Sequence, residues 1–144
     1  MGGTYENLEV WQAAMELVMK VYTATRGFPV DERYGLTNQL RRAAVSVASN
    51  IAEGKGRISD KELVQFLSRA RGSLYEVQTQ LKVAAMLSYV TAVESSDLSN
   101  SSNRVGCLLN GLLRTLKAAV EQELKSQTRA AKAESRKARA ELPI

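Results

Sequence analysis

Two groups of residues have the side chains and spacing to do chemistry. The first is compact and polar. Asn38, Arg42, Ser46, Asn50 and Glu53 stand at offsets 0, 4, 8, 12 and 15, one stripe of a helix, and Ser73, Glu76 and Gln80 make a comparable ridge further on. Glu53 and Glu76 are the carboxylates on which a ligand or catalytic site would be built. Composition weighs against such a site, because the chain contains no histidine. That removes Ser-His and Cys-His pairs, imidazole bases, His-containing zinc sites and the Glu-x-x-His di-iron motif. An enzyme would have to work with Lys, Glu, Asp, Tyr or Ser. Arg42, Asn50, Glu53, Ser73 and Glu76 are better read as a hydrogen-bonded network at a helix–helix or subunit seam, where buried charge must be paired and polar atoms satisfied. The expectation is a non-enzymatic protein with no cofactor and no metal.

The second group is cationic. Arg33, Arg41, Lys55, Arg57, Lys61, Arg69 and Arg71 are expected to gather around one helix turn and its adjoining faces. The bland reading is an ordinary solvated surface; the other is a phosphate-binding patch. A further set, Lys125, Arg129, Lys132, Arg136 and Arg139, stands at offsets 0, 4, 7, 11 and 14 near the C-terminus. These five form one basic stripe if the chain there is helical, serving either as a solvated extension or as a nucleic-acid-contacting arm. Residues 125–144 hold 6 Lys+Arg against 2 Asp+Glu, whereas residues 1–124 hold 14 against 13. The net charge of +5 is therefore mostly a property of the tail. No motif for base-specific readout and no exposed aromatic series is evident, so any binding should be weakly sequence-specific.

These residues must be positioned by helices. Leu8, Trp11, Met15, Val18 and Tyr22 recur with helical spacing and predict a first helix, with Asn7 as its N-cap and Gly27 and Pro29 as its stop. Phe28 is expected to fold back over the bundle end. Leu36, Leu40, Ala43 or Ala44, Val47 and Ile51 predict a second helix, closed by Gly54-Lys55-Gly56 with glycine in the left-handed region. This glycine–lysine turn is not a phosphate loop, since it follows a helix and lacks the Walker spacing. Ser59 and Glu62 have capping-box spacing ahead of a long third helix through Leu63, Phe66, Leu67, Ala70, Leu74, Val77, Leu81, Ala84 and Leu87. Gly72 in its middle predicts close approach to a neighbour through Ala43, Ala44 or Val47. The Ser-, Asn- and Asp-rich segment from Thr91 to Asn103 reads as turn or cap. Val105, Leu108, Leu109, Leu112, Leu116, Ala119 and Val120 predict a fourth helix. Cys107, inside this apolar run, reads as core.

With 144 residues, one domain can bury a self-standing core. The expected fold is all-α, an antiparallel up-down-up-down four-helix bundle over 1–124 with a basic, alanine-rich helical extension over 125–144. A single cysteine suits a reducing compartment, and the N-terminus lacks a signal-peptide pattern, so the expected location is the cytoplasm. No membrane span is expected.

At the second and third helices the residues cease to be generic. Leu8-Glu9-Val10-Trp11-Gln12, Phe28-Pro29, Tyr34-Gly35-Leu36-Thr37, Gln39-Leu40-Arg41-Arg42-Ala43, Ser49-Asn50-Ile51-Ala52-Glu53-Gly54 and Gly72-Ser73-Leu74-Tyr75-Glu76 resemble, in order and spacing, the bacterial 23S rRNA intervening-sequence protein family. The resemblance covers about residues 5–120 and implies a small four-helix bundle. The family is also similar to the accessory variability determinant proteins of diversity-generating retroelements. Both groups are associated with homopentameric barrels, and the retroelement proteins with nucleic acid and a reverse transcriptase. The partners so implied are further copies of the chain, RNA or DNA, and a protein such as a reverse transcriptase. Many family members carry proline where this chain has Ala48, which implies a less kinked second helix here. The basic tail lies outside the shared region. Two readings of function follow: a homo-oligomeric nucleic-acid-associated accessory protein, held together by apolar surface on helices 1 and 4, or a protein-binding scaffold or adaptor.

Overall fold

The computed structural model of the chain describes residues 3–143. Four α-helices dominate it: α1 (Glu9–Thr25), α2 (Leu36–Lys55), α3 (Asp60–Met86) and α4 (Ala92–Ala140), with short 3-10 turns at Tyr5–Asn7 and Val30–Glu32. Each helix packs against its neighbours in sequence, and α1 closes the ring against α4; the backbones of the diagonal pairs stay apart. The result is the expected antiparallel bundle. Among the described residues no helix is long and apolar enough to cross a membrane.

The seam between α2 and α3 is the most extensive. The helices meet tightly at Gly54, where an added Cβ would lie 2.8 Å from Phe66 Cβ and 3.0 Å from Leu63 Cδ1. Gly54 thus works by lacking a side chain, whereas the turn itself needs no left-handed glycine, since Gly56 caps α2 at φ −78°. The close approach expected at Gly72 is absent: that residue is exposed and an added Cβ would meet nothing within 4 Å.

The buried face of α1 is Val10, Ala13, Ala14, Leu17, Val18 and Val21, and not the stripe of larger residues expected from spacing. Of that stripe only Val18 is buried; Met15 and Tyr22 are exposed, and Leu8 and Trp11 pack half-buried at the rim. This face joins Ala43, Ala44 and Ala48 of α2 in one core cluster, with Leu8 and Trp11 packed against its rim. Asn7 is not the N-cap. It lies in the 3-10 turn, and Leu8 caps α1 without a side-chain bond, while Tyr5 packs edge-on to Trp11 at 5.3 Å. At the other end Phe28 is buried with its ring 5.4 Å from that of Tyr89, closing the bundle as expected.

Ser59 accepts from the Glu62 N–H at 3.2 Å, the first half of the expected capping box. The complete box lies at α4. Glu94 N–H donates to Thr91 Oγ1 at 3.1 Å and Thr91 N–H to Glu94 Oε1 at 3.3 Å. Of the Thr91–Asn103 segment, expected as turn or cap, Thr91 is the cap and residues 92–103 are helix. Its polar residues face out while Leu98 and Ser102 are buried, and Ser102 donates to the Ser99 carbonyl at 3.1 Å. Cys107 is exposed and not core. It sits two residues, about 200°, from both Val105 and Leu109, which are buried. Before α4, Ser88 takes φ 60°, and Tyr89 N–H reaches back to the Ala84 carbonyl at 2.9 Å, a Schellman closure of α3 with serine in the usual glycine position.

Helix α4 has 49 residues, about 73 Å at 1.5 Å per residue. Leu109, Leu113, Leu116 and Val120 follow the core line, and the same 3-4 spacing then continues through Glu123, Gln127, Ala130 and Glu134. Once that line offers nothing apolar to bury, α4 leaves the bundle, and residues 121–143 are all exposed.

Two glycines of opposite role give a stability test. Gly54→Ala should lose about 1 to 3 kcal/mol through overpacking, although alanine is the better helix former. Gly72→Ala should gain roughly 0.5 to 1 kcal/mol. Urea unfolding curves of the two variants check both signs.

Candidate nucleic-acid interface

Of the expected polar network, the structure joins two members. Ser73 Oγ and Ser46 Oγ lie 2.9 Å apart across the α2–α3 seam, and Asn50 Nδ2 donates to the Ser46 carbonyl at 2.9 Å and to its Oγ at 3.1 Å. Arg42, Glu53 and Glu76 stand exposed beside this cluster and form no ion pair among the described residues. In the single chain the network is therefore neutral and small, and Ser46 is its hub.

The cations expected around one turn are divided between the two ends of α2. Arg33 and Arg41 lie at its start. Arg41 is occupied there: its Nε donates to Thr25 Oγ1 at 2.8 Å, and its guanidinium lies 4.6 Å from the centre of the Tyr22 ring. Thr25, buried, passes its own proton to the Val21 carbonyl at 2.7 Å. Arg41 thus ties α2 to the end of α1. Arg33, exposed, lies 6.0 Å from the Tyr34 ring. Most of α2 separates these two from Lys55, Arg57 and Lys61; even Arg41 to Lys55 spans about 21 Å along the helix. At the latter end Arg57 and Arg69 lie 4.6 and 4.9 Å from the Phe66 ring centre, so that one aromatic side chain holds two guanidinium groups.

Arg71 belongs to a third location, the outer side of the α3–α4 seam, where its Nη1 donates to Asn110 Oδ1 at 3.4 Å. Toward the open end of the same seam, Lys61, Val64 and Gln65 of α3 share a hollow with Lys117, Val120, Glu121 and Leu124 of α4. Toward its other end Lys82 shares a cleft with Ser95, Ser99 and Ser102. Arg114 is exposed at offset 11 before Lys125, on the line that continues into the expected tail stripe. That stripe is realised, because α4 is unbroken through Lys125, Arg129, Lys132, Arg136 and Arg139. It projects on the side opposite Glu123 and Glu134.

Arg114, Lys117 and Lys82 are the cations that spacing alone did not single out. Extending the tail's 3-4 series upstream through Glu121 reaches Arg114, so that signal was present. The position of Lys82 follows only from the packing of α3 on α4.

The opposite side of α4 is electrostatically different. Lys20 bridges Asp97 at 3.0 Å and Glu16 at 3.7 Å, and Arg104 bridges Glu9 at 3.3 Å and Glu16 at 3.5 Å. The hydrogen bond that Lys20 donates to Asp97 is the main cause that raises the Lys20 pKa above the ordinary lysine value. A raised value means this α1–α4 clamp is intact below that ordinary value and is lost as pH climbs through the raised one. Across the α3–α4 face, Lys61, Arg71, Lys82, Arg114 and Lys117 make no ion pair among the described residues; in the stripe, Lys125 bridges Glu121 at 3.1 Å.

With this geometry in place the comparisons with known proteins decide the affiliation. Residues 6–111 match the 23S rRNA-intervening sequence protein family. The chain belongs to that family. A solved relative in fold is the crystal structure of a protein with unknown function from the S23 ribosomal protein family of Bacteroides thetaiotaomicron VPI-5482, with 21% identity and a TM-score of 0.66. The likeness covers 72% of this chain and 97% of that one. No curated protein matches the chain. The family region ends within α4 before Arg114, so the shared bundle and the projecting stripe meet on one helix.

Two substitutions separate packing from surface charge. Ser73→Ala should cost about 0.5 to 1.5 kcal/mol by removing a partner of Ser46. Glu76→Gln should stay within roughly 0.5 kcal/mol in the isolated chain, as read from thermal melts. Arg41→Lys should cost about 1 to 2 kcal/mol, since lysine has neither the Nε donor nor the planar face, while leaving any nucleic-acid affinity within about twofold.

Proposed function

We propose that this protein is a non-enzymatic, homo-oligomeric accessory protein that associates with nucleic acid through phosphate contacts. One observation carries the reading: unpaired cations gather on the outer α3–α4 face and run on along α4, while the cations of the α1–α4 face are consumed in ion pairs. Fixed, unneutralised cations along one face attract a polyanion by releasing its counterions. Membership of a family named for an insertion in ribosomal RNA is consistent with such a partner. Lys55, Arg57, Lys61 and Arg69 extend the same positive surface around the α2–α3 turn.

Assembly belongs to the proposal. Met15, Tyr22 and Val45 are exposed apolar residues on α1 and α2, and Arg42, Glu53 and Glu76 are exposed charges without partners in the single chain among the described residues. A ring of copies, five by family resemblance, would cover the former and offer partners to the latter. It would also repeat each phosphate contact around the ring, multiplying affinity without new chemistry. The proposed location is the cytoplasm.

A second reading has its own support at the opposite end of the bundle. Val30, Tyr34, Met86, Leu87 and Val93 are exposed around the α1–α2 and α3–α4 connections. Such a surface suits a protein partner, a reverse transcriptase being the one suggested by resemblance, and would make the molecule an adaptor.

Electrophoretic retardation and light scattering test the proposal together. Binding is expected in the micromolar range or tighter near physiological salt, by a particle larger than one chain. Replacing Arg71, Arg114 and Lys117 together by Gln should reduce the slope of log affinity on log salt by about 3. Failure to retard any RNA or DNA at low salt rules the reading out, and a stoichiometric protein partner retained after nuclease treatment favours the adaptor.

A further inference from the structure

We propose that the outer α3–α4 face and the projecting part of α4 form one continuous track for the phosphates of a double-stranded nucleic acid. The inference rests on the nucleic-acid reading above and deepens it by naming the duplex as the partner and the projecting helix as part of the same surface.

Continuity comes from the helix itself. Arg114, Ala118, Glu121, Lys125, Arg129, Lys132, Arg136 and Arg139 keep 3-4 spacing on a segment that contains neither glycine nor proline between residues 112 and 140. Arg114 to Arg139 spans about 37 Å at 1.5 Å per residue, close to one turn of a duplex at roughly 34 to 36 Å. The one carboxylate on the line, Glu121, is bridged to Lys125. While α4 still packs on α3, Lys117, Lys61 and Arg71 widen the track; beyond Leu124 the helix carries it alone. Glu123 and Glu134 occupy the opposite side and repel a polyanion there, so the stripe has one working face.

Three features select the partner. A duplex carries one phosphate per about 1.7 Å of axis and releases about 0.9 counterion per contact, against about 0.7 for a single strand, so a straight row of cations gains more from the duplex. A single strand would also need a series of aromatic platforms; Tyr5 packs on Trp11 and Phe66 lies under Arg57 and Arg69, which leaves Tyr75, one turn from Arg71, as a lone exposed ring beside the track. An acidic protein would need a buried aromatic or aliphatic anchor at the centre of the contact; Val64, Val120 and Leu124 offer one only where α4 still meets α3, and the stripe beyond Leu124 contains none up to Arg139.

The test changes direction without changing charge. Two alanines inserted after Leu124 turn everything beyond by about 200°, and seven turn it by about 700°, within roughly 20° of the original direction. Each variant is titrated with a duplex of about 20 base pairs and with a single strand of the same length, which covers the track at roughly 3.4 Å per pair. The two-residue insertion should weaken duplex binding at least about tenfold and lower the salt slope by about 4. The seven-residue insertion should restore both. Duplex affinity unchanged by the two-residue insertion shows that the projecting helix acts independently of the bundle face and overturns the track. Equal affinity of the native chain for the single strand overturns the choice of duplex. A native chain that binds neither at low salt overturns the nucleic-acid reading itself, an outcome distinct from both.

Discussion

The close approach of α2 to α3 is the constraint on which the rest of the molecule depends. At Gly54 the two helices come together without room for one Cβ, and at Ser46 and Ser73 they are joined by a hydroxyl pair. Packing this close is met by small residues on the facing sides, Gly54 against Phe66 and Leu63 and Ser46 against Ser73. With α2 and α3 fixed, Phe66 is held at the edge of the seam and positions Arg57 and Arg69. Helices α1 and α4 then pack on this pair and on each other, their relative placement reinforced by the bridges of Lys20 and Arg104. Each such exposed bridge contributes little by itself, about 0.2 to 1 kcal/mol. Their more significant effect is on charge: they leave no unpaired lysine or arginine in this cluster on one side of α4, while the other side is positive.

Sequence patterning made the architecture legible because amphipathic spacing survives in every helix and the connections are short. It failed where size and direction mattered more than period. In α1 two apolar lines run side by side, and the one that faces the core is Val10, Ala13, Ala14, Leu17, Val18 and Val21. Cys107 has apolar neighbours in sequence but points away from them, a distinction of angle rather than composition. The polar segment after Thr91 looked like turn because serine and asparagine favour turns, yet Thr91 and Glu94 spell a capping box that starts a helix there. The glycines show the same limit. Spacing identifies Gly54 and Gly72 as unusual in a helix, but only packing tells which of them lacks a side chain for a reason.

The candidate interface was half legible. The tail stripe followed from spacing once the segment proved helical. Its continuation through Arg114 was available from the same arithmetic, while the contributions of Arg71, Lys82 and Lys117 depend on how α3 lies against α4. Conversely, Arg33 and Arg41 seemed to belong with the turn cations because they are near them in sequence, but a straight helix carries its two ends apart. Arg41 shows besides that a cation with a hydroxyl acceptor and an aromatic ring has already found its partners.

The departure of α4 from the bundle has a thermodynamic consequence. Past Val120 the buried line turns into Glu123, Gln127, Ala130 and Glu134, so the projecting segment shares no core with the bundle and its order is a local helix–coil equilibrium. One end of that segment is nucleated by the folded bundle, which removes the usual barrier to starting a helix. The other end, with Lys137 and Arg139 in its last turn, is favoured by the helix dipole. Order along it therefore falls off toward the C-terminus, amide by amide, while the bundle melts as a unit. One continuous helix thus joins a cooperative fold to a non-cooperative one, and changes in the outer segment can accumulate without drawing on the stability of the bundle.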